Sequence, residues 1–160
     1  MPTAPDPLLA SAHDLLRRTR DDMRVSIQGL PAEALNWRPV GDDTNSIAVL
    51  AYHSLTSTIT WLSVAVDEPP PGRDRDSDFD FAAGDDSRLL AFVDESVERC
   101  LDLVDRSRAV DWAAVRNHWD PARDIKLAAA WAFVHALEHL REHEGQMSLT
   151  RQLWEQRSAP

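Results

Sequence analysis

His53, His139 and His143 are the residues of this chain whose type and spacing could do chemistry together. An imidazole offers one lone pair to a cation once its other ring nitrogen carries the proton, and imidazoles on two packed helices can converge on one divalent ion. His139 and His143 stand four residues apart, so on a helix they share a face with Cβ atoms about 5–6 Å apart, within reach of a common ion. Three neutral ligands leave the ion its full charge and an open position, the pattern of a catalytic rather than a closed structural site. Such a centre could lower the pKa of bound water or stabilise a thiolate. Imidazole suits zinc, nickel, iron and copper alike, so these three residues do not select the metal.

For that convergence the histidines must sit on helices that face one another. Asp6-Pro7 and Asp120-Pro121 each place a capping carboxylate before a proline suited to the first helical position, and helices are predicted to start there. The first covers residues 7–27 and stops at Gly29, with a short turn or loop over 30–37. A polar cluster at 41–45 precedes a second helix over 46–66, which ends before Pro69-Pro70-Pro71. Residues 67–84, rich in Pro, Asp and Gly, read as a long exposed connection to a third helix over 86–106. Residues 110–119 leave room for another short turn, and a long fourth helix is predicted over 121–157. Four main helices and no strand give an all-α fold, a four-helix bundle in one domain spanning 1–160 with its core at about 7–156.

The charge pattern of the predicted helices aims the histidines inward. On the fourth, Lys126, Glu138, Arg141, Glu142, Glu144, Arg151 and Glu155 share one arc, opposite Ala132, Ala136, His139, Leu140, His143 and Met147. His135 falls near the edge of that uncharged arc. On the second, the side bearing His53 also carries Leu50, Ser57, Trp61 and Val64 without a charge, and Trp61 is the tryptophan expected beside the site.

The net charge of −10 opposes any broad basic surface, so neither nucleic acid nor an anionic membrane is an expected partner. Residues 46–66 carry no formal charge over a length that could span a bilayer, but their Ser/Thr hydroxyls, Tyr52 and His53 predict a buried helix instead. Cys100 is the lone cysteine, which rules out an intramolecular disulfide and suits a buried thiol in a reducing compartment. The first residues hold neither a basic region nor an apolar run, and a cytoplasmic location is expected.

The order of three segments carries a family resemblance: Asn36-Trp37-Arg38-Pro39, then the stretch from Asn45 to Tyr52-His53, then His139-Leu140-Arg141-Glu142-His143-Glu144-Gly145-Gln146. The chain resembles, over about residues 8–154, the DinB-like superfamily, metal-binding four-helix bundles of the DinB/YfiT type that are related to mycothiol-dependent enzymes. The resemblance implies that His53, His139 and His143 are the ligands of a divalent ion, with zinc, nickel or iron expected. It further implies a thiol-dependent S-transferase using a low-molecular-weight thiol such as mycothiol or bacillithiol on a small-molecule substrate, in a homodimer. Metal-assisted hydrolysis and a non-catalytic, stress-associated metal-binding bundle are the alternatives. Many relatives carry a basic residue where this chain has Glu144, which argues against an anion-binding role at that position.

The remaining signals read as structure. Asp74, Asp76, Asp78 and Asp80 alternate as in a calcium loop, but Phe79 stands where the tight-turn glycine belongs, so a solvated acidic loop is expected. His118-Trp119-Asp120 reads as packing and capping before the fourth helix, and His13 as a surface residue. Gln146, one turn beyond His143, is placed either to orient a ligand or to face solvent. No phosphate loop, nucleophile elbow or Cys-x-x-Cys pair is present.

Overall fold

The computed structural model of the chain describes residues 6–157, so the segment from Met1 to Pro5, read above for leader character, lies outside the described residues. Four long helices form the body: α1 (Pro7–Ile27), α3 (Ile47–Ala65), α4 (Asp86–Arg106) and α5 (Ala129–Arg157), with a short α2 (Ala32–Asn36) between the first two. Of the two caps expected, Asp6 is in place at a helix start, and Ser46 and Asp85 cap two further helices. Asp6 accepts from the Leu8 N–H, Ser46 from Val49 and Asp85 from Arg88, each satisfying a donor that a helix start leaves open. Gly29 ends α1 at φ 77°, a left-handed conformation that suits glycine.

The helices pack as a ring in which α1 lies against α4 and α5, and α3 against the same two, leaving α1 and α3 on one diagonal. Leu16, Met23, Leu35, Ile47, Leu55, Leu62, Leu103, Phe133, Leu140 and Met147 fill the interior between them. α3 packs most extensively on α5, which explains why it needs so few charges: almost every one of its residues is buried. Among the described residues, the one helical stretch apolar and long enough to cross a membrane is this one, and most of it is buried inside the bundle. The Thr58 hydroxyl donates to Ser54 O (2.7 Å) and lies 3.3 Å from Ala136 O, within reach of α5.

The long helix predicted from Pro121 begins eight residues late, at Ala129. Residues 115–128 instead form a hairpin, β1 (Val115–Asn117) antiparallel to β2 (Lys126–Ala128), with Arg116 opposite Leu127. Asp120 does cap, but it caps a turn: its Oδ1 accepts from the Ala122 N–H at 2.9 Å, and Arg123 N–H returns to Asp120 O. A carboxylate before proline suits a turn as well as a helix start, and the pairing with Val115–Asn117 decided between them. β2 runs directly into α5, whose first N–H groups donate to Ala114 O and Trp112 O.

Candidate metal centre

The structure brings His53, His139 and His143 together. One nitrogen of each lies within 4.8 Å of the other two, and the ring of His53 sits 5.2 and 5.3 Å from those of His139 and His143. His53 is buried and the other two are half-buried, so the cluster lies at the edge of the core between α3 and α5. The Nε2 atoms of His139 and His143 face each other at 3.1 Å. Two ligands bonded at 2.0–2.1 Å in tetrahedral geometry stand about 3.3 Å apart, so this pair is already at the spacing a shared ion requires.

The surrounding groups set the tautomers. Asp78 Oδ2 lies 3.0 Å from His53 Nδ1, and a carboxylate can only accept, so Nδ1 carries the proton and Nε2 keeps its lone pair. The Arg73 guanidinium is 3.2 Å from the same Nδ1 and also forms a close ion pair with Asp78 Oδ2. One protonated nitrogen cannot accept from Arg73, so the carboxylate takes both donors and the arginine–imidazole approach is a consequence. His143 Nδ1 donates to Gln146 Oε1 at 2.8 Å, which likewise turns its Nε2 inward. Gln146 meets both descriptions: it is exposed to solvent, and its side-chain oxygen orients the His143 ring. His139 Nδ1 is buried without a hydrogen-bond partner among the described residues.

Burial, reinforced by the Arg73 charge, pushes the His53 pKa down to about 4 against the opposing pull of Asp78. Burial, with His143 and His53 close by, pushes His139 down to about 3. Both rings are therefore neutral at pH 7, the state in which an imidazole can bind a cation.

Arg73 and Asp78 come from the connection that the sequence led us to expect as solvated. Asp74, Asp76 and Asp80 are exposed as expected, but Asp78 is 3% exposed. The connection folds onto the bundle through Phe81, stacked on Tyr52 at 4.3 Å, and Phe79, whose ring is 4.8 Å from that of His53. It is fastened there by the segment that carried the first part of the resemblance: Asn36 exchanges two hydrogen bonds with Ala83, and Arg38 Nη2 donates to Phe79 O at 2.9 Å. Two phenylalanines in an otherwise polar stretch were the available signal that this loop has an inner face.

Beyond the imidazoles lies a cavity of about 200 Å³ lined by Ser57, Trp61, Arg73, Arg75, His118, Trp119, Arg123 and His135 as well as His53 and His139. Trp61 is at the site as expected, its ring 5.1 Å from both His118 and His135. His118 and Trp119 belong to the hairpin and not to a helix start, and they form a wall of the cavity. The Asp120 N–H donates to His118 Nδ1 at 3.0 Å, and burial lowers the pKa of that ring. His135 is half-buried, as its place at the edge of the uncharged arc led us to expect, and its ring reaches the cavity wall. Glu144 departs from the charged arc: it is buried, its carboxyl raised by desolvation and partnered by Arg141 at 3.2 Å. His13 is partly buried rather than on the surface, 3.3 Å from Asp105 across α1 and α4.

A ring of four long helices with three inward imidazoles on facing members defines a bundle able to hold a divalent ion. A family model of the DinB superfamily matches residues 15–147, and the chain belongs to that superfamily. No curated protein matches it.

Proposed function

We propose that the chain binds a divalent metal through His53, His139 and His143 and uses it as a thiol-dependent S-transferase. The observation that carries this reading is the set of three imidazoles that bring one nitrogen each within 4.8 Å of the others beside a cavity, two of the rings oriented by hydrogen bonds. A bound ion would supply Lewis acidity, favouring the deprotonated form of a ligand such as a thiol. The rest is done by the chain. Asp78 and Gln146 hold two of the rings in the binding tautomer, and Trp61 and Trp119 wall the cavity beside them. In transfer, the thiol gives up its proton, sulfur forms a bond to the electrophilic carbon, and the leaving group departs with its electron pair.

Among the described residues, no Asp or Glu lines the cavity at the imidazoles, so hydrolysis would lack a carboxylate base there. The resemblance to thiol-dependent relatives favours thiol transfer over metal-assisted hydrolysis. We further propose that the protein works as a homodimer, to be checked by sedimentation at twice 18.0 kDa.

The test is a rate measurement with metal-loaded protein, an electrophile, and mycothiol or bacillithiol. Thiol-dependent turnover that disappears together with the metal in His53→Ala supports the assignment. Equal turnover by the variant, or turnover indifferent to added thiol, rejects it.

A further inference from the structure

A second cavity, of about 460 Å³, lies beside the one at the proposed centre. The two cavities share Arg73, Arg75, Trp119 and Arg123 and so adjoin as the outer and inner parts of an arginine-lined cleft. The outer part sets its three arginines against Asp74, Asp76 and Asp120. In the inner part the same arginines line the wall and no carboxylate does. Each of the three has an aspartate partner, Arg73 with Asp78, Arg75 with Asp76 and Arg123 with Asp120, so what the inner part offers is guanidinium donors and not a net charge.

The three arginines are not equivalent. Arg73 is nearly sealed from water and committed to Asp78. Arg75 and Arg123 line both cavities from different elements, one from the connection after α3 and the other from the hairpin turn. Both side chains are half-exposed, and their partners are loose: Asp76 is 3.7 Å from Arg75, and Asp120 is 3.5 Å from Arg123. Phe79 supports Arg75 from beneath, its ring centre 5.3 Å from the guanidinium carbon. Guanidinium groups carry forked donors that match the oxygens of a carboxylate or a phosphate.

We infer that this cleft selects a substrate bearing an oxyanion, a carboxylate or a phosphate, held between Arg75 and Arg123 with its remainder directed at the imidazoles. The inference deepens the proposed function by naming a substrate class, and it rests on the histidine centre being the reacting end of the cleft. The acidic rim excludes nothing small, but it discourages bulky polyanions such as nucleic acid.

The experiment titrates inorganic phosphate and, separately, benzoate into the full chain and its Arg75→Gln/Arg123→Gln variant, each both chelator-treated and metal-loaded. Binding is read by ligand-observed NMR, with circular dichroism and metal content recorded for every sample. The expected result is that one of the two anions binds the native chain roughly tenfold or more tightly than the variant, with fold and metal content unchanged. Whether phosphate or benzoate shows the difference tells which oxyanion the cleft prefers. Equal affinity for both anions in native and variant chains overturns the inference and leaves the metal reading standing. Arginine-dependent anion binding by a native chain that retains no metal has the opposite meaning: the anion site holds and the histidine centre fails.

Discussion

Asp78 serves two partners at once, the Nδ1–H of His53 and the guanidinium of Arg73, and the Arg73 and Asp78 side chains are only 6% and 4% exposed. Removing one member of a buried ion pair leaves the other charge without compensation. Asp78→Asn is therefore expected to lower the stability of the metal-free protein by about 3 kcal/mol. Adding Arg73→Met should recover much of that loss, because asparagine still accepts from His53 and no buried cation remains. Urea unfolding of the two variants measures the difference, and equal losses would show that the ion pair is not the source. Metal affinity of Asp78→Asn should also fall by roughly 10–100-fold, the usual effect of losing a group that orients a ligand. The three histidines were legible in the sequence because helical spacing and an uncharged face are local properties. Asp78 was not, because an aspartate in an acidic run looks the same whether it points to water or to an imidazole 25 residues away.

At the scale of elements, α3 and α5 hold the proton-sensitive part of the structure. His53 and His139 have folded pKa values near 4 and 3, below the ordinary 6.5, so the unfolded chain takes up protons first on acidification. Their contribution to stability is complete above pH 6.5 and is lost as pH falls through that value toward 4 and then 3. Melting temperatures of the chelator-treated protein should drop across this window, and less steeply in His139→Leu. Parallel slopes for the two proteins would contradict the assignment. The boundaries of α1, α3 and α4 were readable because Asp6 caps the first and Gly29 stops it, and because the polar cluster at 41–45 and the Pro, Asp and Gly of residues 67–84 bracket the other two. The start of α5 was not, since the competing structure needs strand Val115–Asn117, and pairing between separate segments leaves no local mark. The hairpin matters to the site, as it supplies His118, Trp119 and Arg123.

For the whole molecule, an acidic exterior surrounds a core in which Cys100 is fully buried and its pKa is pushed up to about 12 by desolvation. A thiol in that state is neither nucleophilic nor accessible, so it is no candidate for the transferred sulfur. Cys100 should react with a disulfide reagent only when the bundle unfolds, and rapid labelling of native protein would contradict the packing described here. The central claim concerns the convergence of α3 and α5 on one ion. Elemental analysis of protein purified without a histidine tag tests it most directly, run on the native chain beside His53→Ala and His139→Ala with their folding checked by circular dichroism. A single divalent ion per chain in the native protein and almost none in either folded variant is the predicted result. No bound metal in the native protein, or the same content in all three, would contradict it.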